Sequence, residues 1–151
     1  MELRELIKDY LKTARVMQLA TSVNNQPWVC TVHFYSDDDL NFYWASMITR
    51  RHSIEIEQNP KASIAVKIQE DTPEKKYVIG ISAEGTAELL NIEEINKIGD
   101  QYIKKLDKDP NLIADILSVK KPFKFYKFTP SKFVLFDVLN FPHDPRQELI
   151  L

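Results

Sequence analysis

One cysteine, Cys30, stands alone in a chain of 151 residues. It can form no internal disulfide, and without Cys/His clusters at ligand spacing no metal site is expected. Long hydrophobic runs are also missing. No stretch approaches the roughly 20 apolar residues that cross a bilayer, and Met1-Glu2-Leu3-Arg4-Glu5 has no apolar segment followed by a cleavage site. No membrane partner and a cytoplasmic location are expected. A surplus of one charge is absent as well: 20 basic and 22 acidic side chains leave a net charge of -2. They are dispersed, so no basic surface marks nucleic acid as a partner. What the chain does have is 44% hydrophobic and 11% aromatic content, enough for one core and too little length for two ordinary domains. Residues 1–151 read as a single domain.

Leu3, Leu6, Ile7, Tyr10 and Leu11 recur at helical spacing and predict an amphipathic helix over 2–13. Apolar and β-branched residues over 16–23 predict a strand, Asn24-Asn25-Gln26-Pro27 a turn, and 28–36 a second strand, which together read as a hairpin. Asp37-Asp38-Asp39 predicts a further turn and 40–46 a third strand, completing a three-strand meander. A helix from about Thr49 should stop at Asn59-Pro60, because proline cannot continue it and restricts the residue before it. Residues 61–68 read as a fourth strand and 69–75 as a charged loop. The next strand, 76–90, carries Gly80 and Gly85, which suggest bends or bulges of the kind that curve a barrel. Asn91 with Glu94 signals the cap of a helix bearing Ile95, Ile98, Tyr102, Ile103 and Leu106. Asp109-Pro110 opens a short fourth helix, 123–139 returns to strand, and the tail from Asn140 reads as irregular. The fold class is α+β, mainly β: a six-stranded antiparallel barrel with flanking helices.

The segment with chemical character is Trp44-Ala45-Ser46-Met47-Ile48-Thr49-Arg50-Arg51-His52-Ser53. An aromatic strand ends in hydroxyls and runs into a helix start with three consecutive basic side chains. A helix N-terminus leaves N–H groups unpaired and carries partial positive charge, so the segment suits a phosphate bound from outside. The competing reading is a solvated helix start with scattered charge. In the second strand Trp28, Cys30, Val32 and Phe34 alternate with Val29, Thr31, His33 and Tyr35, so one set is expected to face the core. Cys30 reads as packing, and His33 taken alone reads as structural. No catalytic residue is assigned.

Thr49-Arg50-Arg51-His52 precedes Glu57-Gln58-Asn59-Pro60, followed by Lys61-Ala62-Ser63-Ile64-Ala65-Val66 and then Gly80-Ile81-Ser82-Ala83-Glu84-Gly85-Thr86-Ala87-Glu88-Leu89. In their order and spacing these pieces make nearly the whole chain resemble the FMN-binding split barrels of the pyridoxamine 5'-phosphate oxidase-like superfamily. The resemblance implies an FMN cofactor whose phosphate meets the hydroxyls of Ser46 and Thr49 and the guanidinium groups of Arg50 and Arg51. His52 falls where many members carry a lysine. It further implies that Thr31, Val32 and His33 run along the flavin ring edge, with Trp44 and Ala45 beneath the ribityl chain.

A homodimer is also implied, with Lys127, Phe141 or Arg146 as candidates to reach the partner's flavin. The implied activity is that of an oxidoreductase passing a hydride or electrons through the flavin to or from a small-molecule substrate, with a nicotinamide nucleotide as candidate reductant. Members that oxidise pyridoxamine phosphate carry an Arg-rich C-terminal stretch with a His. Here Pro142-His143-Asp144-Pro145-Arg146-Gln147-Glu148-Leu149-Ile150-Leu151 has one of each, so that activity is not expected. The same barrel leaves open a non-catalytic flavin or haem binder, for which His143 is the residue in position. A deazaflavin-dependent reductase and a cofactor-free dimeric interaction module also remain open.

Overall fold

The computed structural model describes residues 1–69, 72–118 and 121–151. The chain runs α1 (Leu3–Thr13), β1 (Val16–Val23), β2 (Gln26–His33), β3 (Tyr35–Ser36), β4 (Phe42–Met47), α2 (Arg51–Gln58), β5 (Lys61–Lys67) and β6 (Ile79–Leu89). It continues through α3 (Ile92–Leu106), α4 (Asn111–Leu117), β7 (Phe123–Asp137) and β8 (Arg146–Ile150). Neighbours in the sheet are antiparallel, in the order β2-β1-β5-β6-β7-β4-β3, with β8 added to β7.

β2 and β3 are one extended run interrupted at Phe34. β2 pairs with β1 at one edge and β3 with β4 at the other, so this run bridges the two edges and curls the sheet into a barrel. Counted this way the barrel has the six strands expected from the sequence, and β8 is extra. Two expectations change. The three-strand meander is not continuous, because β4 pairs along its length with β7 and meets the preceding run only at Tyr35–Ser36. The tail, expected to be irregular, ends in β8, which pairs with 132–136 of β7.

Local chemistry accounts for the boundaries. Asn24 and Asn25 take φ of 53° and 61°, the left-handed pair that a two-residue hairpin loop demands and asparagine tolerates. α2 stops where Asn59 turns extended ahead of Pro60. The Asn91 side chain accepts a hydrogen bond from the Glu94 amide at 2.9 Å, capping α3 as its sequence predicts. Of the two strand glycines only Gly85 marks a bulge: the β6–β7 register shifts between Glu84 and Gly85. The charged loop at 69–75 lies partly outside the described residues.

The barrel interior is aromatic. Phe42 lies 5.1 Å from Phe34, 5.8 Å from Phe128 and 6.2 Å from Phe133, centroid to centroid, and all four are fully buried. Each such side chain contributes about 2 kcal/mol through removal from water. A second core, including Ile95, Ile98, Tyr102 and Phe125, seats α3 on the outer side of β4 and β7.

Asp137 ties α1 to the end of β7. Its carboxylate accepts from the Tyr10 hydroxyl (2.5 Å), the Asn140 side chain (2.6 Å) and the backbone amides of Leu139 and Asn140. Burial alone would raise its pKa, but these donors outweigh burial and hold it below the ordinary carboxyl value. The stabilisation is therefore present above the unfolded-state value near 4 and is lost as pH falls through the folded one. Asp137→Ala is expected to cost about 2 kcal/mol in urea unfolding at neutral pH, with the gap to the parent narrowing under acid. A gap that is independent of pH would contradict this account.

Candidate functional site

The sharp turn from β4 into α2 brings the hydroxyl and basic side chains together. Thr49, Arg50 and Arg51 are exposed at the start of α2, while Ser46 and His52 turn inward and are buried. No side chain caps this helix end, and its first turn contains no acidic residue. Its free N–H groups and partial positive charge therefore face outward beside two guanidinium groups. Among the described residues the Arg50 side chain makes no hydrogen bond or ion pair, whereas Arg51 Nε lies 2.6 Å from Glu55 Oε2. Arg51 also lies over the Trp28 ring at 4.1 Å, a cation–π contact. Glu55 is fixed from its other side by Thr21, whose hydroxyl donates at 2.8 Å. A pocket of about 320 Å³ opens here, lined by Val23, Thr49, Arg51, Ile54, Glu55 and Gln58.

His52 Nε2 lies 2.8 Å from Ser46 Oγ. Burial, reinforced by the nearby Arg50 charge, lowers the imidazole pKa. This favours the neutral ring, whose Nε2 pairs with the Ser46 hydroxyl.

β2 supplies a second feature. Within the described residues it pairs only with β1. The Phe34 amide donates to the Arg15 carbonyl at 3.0 Å, which fixes the alternation of the ladder: Val32 and Cys30 direct their backbone groups at β1. Val29, Thr31 and His33 direct theirs away from it. Pro27, with no N–H to give, falls in the same outward set, as an edge strand requires. The edge thus offers a row of free donors and acceptors.

The side chains follow the same alternation. Cys30 and Val32 pack against the barrel core, and burial raises the Cys30 thiol pKa, in keeping with a packing role. The Thr31 hydroxyl donates to the Gln18 side chain at 2.8 Å. His33 Nδ1 lies 3.0 Å from Lys108 Nζ.

The structure joins most of the residues singled out from sequence into one region and separates others from it. Arg51 and Trp28 link the α2 start to β2, so the basic turn and the free strand edge are neighbours. Trp44 is fully buried and stacks on Tyr126 at 5.6 Å, inside the barrel wall. Ala45 is half-buried against the α3 core. Lys127 is paired with Glu94, Arg146 with Glu148, and Phe141 packs on the barrel core. Sequence reading missed Glu55 and Thr21: the Arg51–Glu55 pair lies within α2, and the Thr21–Glu55 contact depends on α2 lying across β1. The one available signal was the i,i+4 spacing of Arg51 and Glu55.

Comparison with known proteins agrees with this architecture. The sequence pattern of the pyridoxamine 5'-phosphate oxidase family matches residues 3–136. No curated protein matches the sequence. Among solved structures, general stress protein 26 from Bacillus anthracis is similar at 20% identity and TM-score 0.70, covering all of both chains. The haem storage protein from Vibrio cholerae is similar at 20% identity and TM-score 0.67, over 86% of this chain and 91% of that one. A haem binding protein from Mycobacterium smegmatis is similar at 13% identity and TM-score 0.78, over 99% of this chain and 58% of that longer one. At these identities the likeness is one of fold.

Proposed function

The chain belongs to the pyridoxamine 5'-phosphate oxidase family, and from that premise we propose that it binds FMN and acts as an oxidoreductase on a small molecule. The observation that carries the reading is the Arg51–Trp28 contact, which sets a basic, acid-free helix start directly beside an unpaired strand edge. A flavin phosphate needs the first, and the polar rim of a flavin ring needs the second.

In this reading Thr49, Arg50 and Arg51 hold the phosphate, with His52 positioning Ser46 behind them. The free backbone groups of Thr31 and His33, joined by Val29, meet the ring rim. Val32 and Trp44 contribute through packing. The bound FMN supplies hydride or electron transfer, and the chain supplies position and electrostatics. Arg51 reaches the phosphate by leaving Glu55.

A homodimer is part of the same proposal. On the outer face of the barrel the small residues Ala20, Ser63, Ala65, Gly80 and Ser82 leave broad grooves. Beside them Val29 and Phe136 are exposed, a surface suited to a second copy. Localisation in the cytoplasm and a nicotinamide nucleotide as reductant belong to the proposal too. Among the described residues no helix is long and apolar enough to cross a membrane. The haem reading finds less support, since His143 is exposed on the segment between β7 and β8.

The test compares FMN with riboflavin, which lacks the phosphate, by quenching of flavin fluorescence. FMN is expected to bind roughly 10- to 100-fold more tightly, the worth of one or more charge-assisted contacts. Equal affinities would remove the phosphate from the α2 turn.

A further inference from the structure

α2 lies across the first hairpin so that two of its side chains cover a cross-strand pair. Thr21 of β1 stands opposite Trp28 of β2. Arg51 and Glu55, one turn apart on α2, meet them from above: the guanidinium lies over the Trp28 ring at 4.1 Å, and the carboxylate accepts from the Thr21 hydroxyl at 2.8 Å. The two are joined to each other, Arg51 Nε to Glu55 Oε2, at 2.6 Å. An i,i+4 pair on a helix surface is ordinarily loose, because both side chains move in water and little holds them in one geometry. Here the acid is held. The Glu55 side chain retains only 10% exposure against 46% for Arg51, and Thr21 beneath it is buried. Of the pair, Arg51 is the partner with room to move.

Glu55 depends on Arg51. The Arg51 hydrogen bond holds the carboxyl below its ordinary pKa against the opposing effect of burial, with a smaller contribution from Thr21. Among the described residues Arg51 is the cation that acts on it. Drawing Arg51 away leaves a carboxylate in a largely dry position with a hydroxyl donor alone, a state that costs free energy. Thr49, Arg51 and Glu55 line the same pocket of about 320 Å³. A phosphate arriving there meets a guanidinium that already has an acidic partner.

We infer that Glu55, set in place by Thr21, is a built-in competitor for the FMN phosphate: it latches Arg51 in the free chain and gives it up when the phosphate binds. The inference rests on the flavin reading above. Glu55 is a positioning residue, acting on the flavin through Arg51, and the latch makes the flavin site weaker than its cations alone would make it.

The test titrates FMN and riboflavin, by quenching of flavin fluorescence, into four full-length proteins: the parent, Glu55→Gln, Arg51→Ala and the double variant. Gln can still accept from Thr21 but has no charge, so Arg51 is released. Glu55→Gln is expected to bind FMN about tenfold more tightly than the parent, the worth of one partly exposed ion pair that no longer has to be broken. Its riboflavin affinity should be unchanged. In the Arg51→Ala background the same substitution should bring little gain, since nothing is left to release. An equal gain in both backgrounds would make Glu55 a neighbouring charge that merely repels the phosphate, and would overturn the latch. So would an unchanged or weakened FMN affinity in Glu55→Gln. Glu55→Asp is the second arm, because it keeps the charge and draws it back from Arg51: tighter FMN binding supports the latch, and unchanged binding opposes it. Failure of every protein to bind FMN would overturn the flavin reading and the latch with it, whereas FMN binding without the Arg51-dependent gain would overturn the latch alone.

Discussion

Replacing both Arg50 and Arg51 by alanine is expected to weaken FMN binding by roughly 100-fold or more, since each charge-assisted phosphate contact contributes about 1.5–3 kcal/mol. The single variants should not be equal. Arg51 begins in an ion pair with Glu55 at 2.6 Å, so the phosphate gains only the difference between two acidic partners. Arg50 begins with no partner among the described residues, and the whole of its contact is new. Arg50→Ala should therefore cost more affinity than Arg51→Ala, although Arg51 alone touches Trp28. Riboflavin affinity should be nearly unchanged in both, because the lost groups face the phosphate. Fluorescence titrations of the four proteins with the two flavins check each part. An undiminished FMN affinity in the double variant would place the phosphate elsewhere.

Gly85→Ala should be the most damaging single-methyl change in the fold. A Cβ at Gly85 would lie 2.1 Å from the Thr129 carbonyl oxygen and 2.8 Å from the Pro130 Cα. Both are backbone atoms of the paired strand, so no side chain can rotate out of the way. The bulge must open or β7 must shift, with an expected cost of about 3 kcal/mol or more. Gly80→Ala is the control, for there the added Cβ meets only the Val66 carbonyl at 3.6 Å, an ordinary contact. Urea unfolding of the two variants should separate them clearly. Equal stabilities would mean that the register shift at Glu84/Gly85 does not depend on the missing side chain.

This pair of glycines also shows how far sequence carries the fold. Both punctuate a β pattern in the same way, and only the register opposite Pro130 distinguishes the bulge from an ordinary strand position. The helices were legible because apolar spacing, the Asn91 cap and the Asn59-Pro60 stop are local signals. The six barrel strands were legible for the same reason. Their pairing was not: β4 follows β2–β3 in sequence and matches a meander, yet β7 is long enough to take β4, β6 and β8. β8 itself was hidden because two prolines and a histidine precede a short alternating run.

At the site, the hydroxyl and basic residues of the α2 turn are adjacent in sequence and were read directly. The direction each side chain takes was not. Ser46 and His52 bury each other, and Trp44 disappears into the wall, because β4 alternates between the barrel core and the α3 layer. Glu55 lies one turn along α2 and Thr21 comes from β1, and nothing in local spacing brings Lys108 to His33.

The central claim is that this chain holds FMN at the α2 turn and the β2 edge. The most direct measurement is the near-ultraviolet and visible absorbance of the purified protein before and after adding FMN and removing the excess by gel filtration. Flavin bands retained by the parent protein and lost from the Arg50→Ala/Arg51→Ala variant are the predicted result. A featureless spectrum after FMN addition would contradict the claim, and a Soret band on the protein as purified would put haem in its place.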